Sequence, residues 1–183
     1  MSSQASSFQA RHVARPVLRD ATFVAAFILL AGFAFARFGF TAQSPFKVFV
    51  IGILLVLSHR DFETRLIPNR IVLPAWGLVL TANLALHPGD WRVLLVASSG
   101  AALFFLCLAL ASPSGMGMGD VKLAGFLGAA LGAQIVHGIL LAMLGSLVFA
   151  IAILCREGWA GRNRTFAYGP FLAAGAIAVL LAT

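Results

Sequence analysis

RVLLVASSGAALFFLCLALA, Arg92 to Ala111, is a run of 20 residues with a single charge at its first position. A helix of about 20 apolar residues crosses the ~30 Å hydrocarbon core of a bilayer, so the stretch reads as a membrane-spanning helix. That reading sets the class of the chain, because the run has counterparts. Apolar segments cover about 21–40, 45–58, 71–87, 135–155 and 166–182, with a shorter one at 120–132. Of the 183 residues 61% are apolar and only 10% are charged, whereas a soluble domain carries about a quarter. The expectation is an all-α polytopic membrane protein with six or seven transmembrane helices in one bundle. The 120–132 segment is short for a span and reads as tilted, re-entrant or fused with the next. Glycines 125, 128, 132, 138 and 145 are spaced to let such helices approach closely.

The formal net charge is +7. In a soluble chain that excess would suggest nucleic acid; in a membrane protein it marks cytoplasmic loops beside anionic lipid, and no nucleic-acid partner is expected. With the N-terminus in the cytoplasm and seven alternating segments, the inside holds Arg11, Arg15, Arg19, Arg60, Arg65, Arg70, Lys122, Arg156, Arg162 and Arg164. The outside holds only Arg37, Lys47 and Arg92. That bias orients the chain. Residues 1–20 then form a basic cytoplasmic arm, its first ten polar and disordered, and residues 21–183 the bundle. Ala34-Phe35-Ala36 has the small-residue pattern of a signal-peptide end, but the run it closes is bilayer-long and reads as a retained anchor. Cys107 and Cys155 lie in apolar runs without a C-x-x-C pair, so they read as packing residues rather than a metal site or disulfide.

The acids are few: Asp20, Asp61, Glu63, Asp90, Asp120 and Glu157. Asp20, Asp90 and Glu157 read as solvated loop charges. Asp61 closes the run VFVIGILLVLSH and opens DFETRLIPN, after which the chain re-enters the membrane. Pro68 marks a turn or helix start there, and Asn69 is placed to cap the helix that follows. Asp120 stands in GMGMGDVKL, residues 115–123, where the glycines permit close approach or positive φ and the helix start favours a negative charge. GMGMGDVK is neither a P-loop nor a dinucleotide fingerprint.

An acid at a membrane boundary is a functional-site hypothesis by default. Asp61 and Asp120 fall at the same, cytoplasmic, edge on different helices. Two carboxylates that share a site hold one proton between them, so the ionised one can deprotonate a water while the other donates to the carbonyl under attack. That is peptide hydrolysis with no metal, cofactor or covalent intermediate. Spacing alone leaves a helix cap or a loop ion pair as the other reading of each aspartate.

Three stretches resemble one family. Asp61 to Asn69, DFETRLIPN, resembles the D-x-x-x-x-x-I-P-N segment of prepilin peptidases, the type IV leader peptidases. Gly117 to Leu123, GMGDVKL, resembles their G-x-G-D-x-K-L motif. Tyr168 to Leu172, YGPFL, resembles their late F-G-P-x-L segment, with tyrosine in the place of phenylalanine. The resemblance runs from about Phe46 to the C-terminus. It implies a GxGD-type aspartic protease in the bacterial inner membrane, Asp61 and Asp120 its catalytic pair, cutting the basic leader of prepilins or pseudopilins after a glycine on the cytoplasmic side. Longer members carry paired cysteines in an N-terminal region and N-methylate their product. The region before Ala21 is too short for that, so a compact form like those serving Flp/Tad-type pili is expected, with no methyltransferase activity implied.

Around the pair, Gly117 and Gly119 are expected to let a substrate strand approach. Pro68 and Asn69 shape the turn, Lys122 orients substrate or snorkels, Glu63 attracts a basic leader or stands solvated, and Gly169 and Pro170 belong to the third motif. Asn83, Gln134 and His137 read as helix–helix hydrogen bonders. The reading from another class is a small transporter or pilus-assembly component with Asp61 and Asp120 as a proton or cation site; one-sided acids and the lack of an inverted repeat weigh against it. Presenilin-like proteases would show Y-D and P-A-L segments and rhomboids a G-x-S-x pattern around Ser146, and neither occurs. The partners expected are the substrate and membrane lipid.

Overall fold

The computed structural model describes Thr22, residues 24–39, Thr41 and residues 43–64, 67–111, 116–157 and 168–183. The basic arm at 1–20, Arg65, Gly115, Arg162 and Arg164 lie outside the described residues. Among those residues the chain forms helices and short turns with no strand. The helices are α1 (Val24–Phe38), α2 (Gln43–Thr64), α3 (Asn69–Leu86), α4 (Trp91–Ala111), α5 (Met118–Leu131), α6 (Ile135–Glu157) and α7 (Gly169–Ala182). Among the described residues three stretches have the length and apolarity to cross a membrane: Asn69–Leu86, Pro88–Ala111 and Met118–Arg156. The protein is an all-α membrane protein.

The segment that looked too short to span is the axis of the bundle. Val121 and every residue from Leu123 to Leu131 are buried, so α5 is apolar on all sides because it is covered on all sides. Its 14 residues reach only ~21 Å, less than the bilayer core. At its C-terminus Gly132, with φ +53°, turns the chain into the 3-10 turn Gly132–Gln134 and on into α6. Helix α6 runs back: its Gly138 faces Ala176, and its Gly145 faces Phe171, which makes α6 and α7 antiparallel neighbours.

Lipid tails are as apolar as leucine, so a membrane bundle is held by close contact and hydrogen bonds rather than by the hydrophobic effect. Both devices occur here. A Cβ on Gly128 would run into the Ala97 carbonyl of α4. The Trp76 indole of α3 donates to Ser98 Oγ of α4 at 2.8 Å, and Ser98 donates to the Gly125 carbonyl of α5 at 3.0 Å. Near the other end of α5, Asn83 Nδ2 donates to the carbonyls of Ala129 (2.9 Å) and Ala130 (3.2 Å), the helix–helix role expected of it. Gln134 and His137 are exposed instead, and Cys107 and Cys155 are free thiols on the outer surface rather than packing residues.

Antiparallel order gives the bundle two distinct ends. One collects the C-terminal end of α2, the starts of α3, α5 and α7, and with them Asp61, Arg60, Arg70, Asp120 and Lys122. The other collects the starts of α2, α4 and α6, with Lys47 and Arg92.

Candidate active site

Helix α2 runs past its continuous apolar stretch to Thr64, so Asp61 stands on the helix rather than in the loop after it. That keeps its side chain against the bundle: Asp61 is only 6% exposed. Its Oδ2 accepts the backbone N–H of Gly169 at 3.1 Å. Gly169 opens α7, where N–H groups have no partner within the helix, so a carboxylate from α2 supplies one. The third motif is legible in those terms. Tyr168 is the N-cap residue, with its carbonyl accepting from Phe171 and Leu172. Gly169 leaves room for the carboxylate, since a Cβ there would lie 2.5 Å from Asp61 Oδ2. Pro170 sits where a missing N–H costs nothing.

Asp120 is the third residue of α5, half-buried, and Gly117 rather than Asp120 is the N-cap. The Gly117 N–H reaches Asp120 Oδ2 at 3.4 Å, a long bond, while the Asp120 N–H returns to the Gly117 carbonyl at 3.1 Å. The two carboxyl groups, 59 positions apart in sequence, are near enough for the charge of Asp61 to act on Asp120.

The turn after α2 is fastened to the start of α5. Ile67 is buried against Gly119, where a Cβ would come within 3.0 Å of the Ile67 Cβ. Lys122 Nζ donates to Asn69 Oδ1 at 2.7 Å. Asn69 therefore does not cap α3 with its side chain; the Pro68 carbonyl opens that helix, accepting from Ile71 and Val72. Lys122 is held toward the turn rather than snorkelling freely. Glu63 lies one helical turn from His59, Oε1 to Nε2 3.7 Å, on an exposed face.

Reading the sequence missed Tyr168 and Ser146 as neighbours of the pair. Ser146 donates to the Met143 carbonyl at 2.9 Å and stands beside the Tyr168 hydroxyl. The Tyr168 ring lies 6.2 Å from that of Phe105. Burial pushes its phenol above the ordinary range; the neighbouring Ser146 hydroxyl works against that shift and the charge of Asp120 adds to it. The only signal was a polar atom in a slot the resemblance gives to phenylalanine. Among the described residues no three His, Cys, Asp or Glu side chains gather as metal ligands.

Residues 48–155 match the model of the type IV leader peptidase family. The chain is 37% identical over 163 residues to the prepilin leader peptidase/N-methyltransferase of Pseudomonas aeruginosa, covering 83% of this chain and 54% of that one. The protein of the same name in Bacillus subtilis is 28% identical over 147 residues, 79% and 58% of the two chains. That of Escherichia coli is 35% identical over 153 residues, 74% and 65%. The chain thus spans about half the length of the first of these curated relatives. No solved structure matches it.

Proposed function

The chain belongs to the type IV leader peptidase family, and from that premise we propose that it is a membrane endopeptidase acting on prepilins or pseudopilins, with Asp61 and Asp120 as its working pair. The observation that carries the reading is that the two aspartates, 59 positions apart in sequence, stand at the same end of the bundle on helices α2 and α5, both of which pack on α7, within reach of each other's charge.

The ionised carboxylate of the pair takes a proton from water as the oxygen adds to the scissile carbonyl carbon. The protonated partner gives its proton to the carbonyl oxygen. As the tetrahedral adduct collapses, one of its hydroxyl protons returns to the second carboxylate, the C–N bond breaks, and the proton held by the first carboxylate passes to the leaving nitrogen. The pair returns with one proton, and its titration belongs to both groups. Gly169 fixes one oxygen of Asp61, and Gly117 leaves an approach to Asp120 for a substrate strand, whereas the space over Gly119 is taken by Ile67. The aspartates share their end of the bundle with Arg60, Arg70 and Lys122, which supports a cytoplasmic orientation in the inner membrane. There a basic leader is cut after a glycine and the pilin helix stays in the lipid. Glu63 on the exposed face is the acid nearest to meet such a leader.

Co-expression with a prepilin carrying a basic, glycine-ended leader tests this. Wild type is expected to shift the substrate on a gel, and Asp61→Asn and Asp120→Asn to abolish the shift while accumulating normally in the membrane. Cleavage surviving either substitution would remove that aspartate from the mechanism.

A further inference from the structure

The end of the bundle away from the aspartates holds a buried cation for which proteolysis has no use. Lys47 sits in the second turn of α2, 14 positions before Asp61, or ~21 Å along the helix. It is 7% exposed. Its Nζ stands 3.4 Å from the centre of the Phe38 ring, and among the described residues it makes no hydrogen bond or ion pair. A ring face offsets part of the cost of burying an ammonium but takes none of its three N–H donors.

Lys47 lines a cavity of about 380 Å³. Gln43, His87 and Asp90 contribute further polar groups to it, while Phe46, Val93, Leu94 and Leu180 form an apolar wall. The polar side is fixed by a hydrogen-bond chain. Asn83 spends its amide donors on the carbonyls of Ala129 and Ala130, so its Oδ1 must accept, and His87 Nδ1, 2.9 Å away, must be the donor. In the neutral ring His87 Nε2 then accepts from Gln43 Nε2 at 3.3 Å. That leaves the second N–H of the Gln43 amide available beside Lys47. Asp90 is exposed and forms no ion pair with Lys47. The cavity therefore offers an unmatched cation, an unmatched anion and an apolar wall at the end of the bundle opposite the aspartates.

We propose that this cavity binds the headgroup of a zwitterionic phospholipid, its phosphate on Lys47 and Gln43, its primary ammonium on Asp90 and the start of its acyl chains against Phe46 and Leu180. A phosphate supplies acceptors for the ammonium donors in a water-poor site, where a charge-assisted bond is strongest. Asp90 disfavours a purely anionic ligand and completes a match to phosphoethanolamine. The site does not depend on the proteolytic reading.

Thermal unfolding of the full chain in a neutral detergent tests it, with dihexanoyl phosphatidylethanolamine, dihexanoyl phosphatidylglycerol and inorganic phosphate titrated separately. Phosphatidylethanolamine is expected to raise the midpoint saturably and to bind at least fivefold tighter than phosphatidylglycerol, with inorganic phosphate weaker than both. Lys47→Met, checked for wild-type helix content, should weaken both lipids at least tenfold. Asp90→Asn, at an exposed position, should abolish the preference between them. Equal binding by Lys47→Met, phosphatidylglycerol binding as tightly as phosphatidylethanolamine, or inorganic phosphate matching the lipids would each overturn the assignment.

Discussion

The backbone N–H of Gly169 donates to Oδ2 of Asp61 at 3.1 Å, tying the start of α7 to the C-terminal end of α2 across 108 positions of sequence. One contact thus joins the first and last of the three motifs and gives the glycine a role that composition does not suggest. It supplies a donor from a helix start, and it does so only because no side chain stands between the two atoms.

Gly169→Ala should therefore act on the pair rather than on the fold at large. The added Cβ meets Asp61 Oδ2 at 2.5 Å, so the carboxylate or α7 must shift. A displacement near 1 Å at a reacting group costs about 100-fold in rate. We expect that loss in prepilin cleavage, with Pro170→Ala, which adds no atom beside Asp61, within a few fold of wild type. Equal rates for the two variants would show that the contact is dispensable.

Lys122 and Asn69 tie the second motif to the first through a 2.7 Å hydrogen bond. Lys122→Met and Asn69→Ala should each slow cleavage several fold, and the double variant should be no slower than the worse single one. Residues that share one bond are non-additive by about 0.5 kcal/mol or more. Additive losses in cleavage rate would mean that the two side chains serve separate purposes.

Apolar runs were enough to read the class and to locate the helices of the described residues, because burial in lipid and burial in protein both demand apolar side chains. They could not tell the two apart. Segment 120–132 looked like a defective span and is the covered axis of the bundle, whereas Cys107 and Cys155 looked internal and face outward. The aspartates were readable as a candidate pair from their motifs, but their standing at one end of the bundle depends on how α2 and α5 each pack on α7, which no local pattern encodes. Asn69 shows the same limit: its place beside a helix start suggested a cap, and a lysine 53 positions away claims its oxygen instead.

Asn83 belongs to the fold and not to the site. It bonds the Ala129 and Ala130 carbonyls and His87, at the end of the bundle opposite the aspartates. Asn83→Leu should cost about 1–2 kcal/mol in unfolding free energy, the scale of an interhelical polar contact in a membrane. Cleavage per folded molecule should stay near wild type. A large fall in that specific rate, with stability unchanged, would connect the two ends in a way their separation does not suggest.

Helix α7 presents Gly169 to Asp61 from a position set by its packing on α6, and Gly175 sets that packing. A Cβ at 175 would collide with the Gly138 carbonyl and lie 2.9 Å from the Ala142 nitrogen, both backbone atoms that cannot step aside. Gly145, on the same interface, would place a Cβ 3.5 Å from the Phe171 ring, an ordinary contact. Overpacking a close helix contact costs about 1–3 kcal/mol. Gly175→Ala should therefore lower the midpoint of thermal unfolding and, by moving the start of α7, slow cleavage in the surviving folded enzyme as well. Gly145→Ala should do neither. If both alanine variants cleave at the wild-type rate, α7 can shift on α6 without moving Gly169, and the hold on Asp61 is local to the first turn of α7.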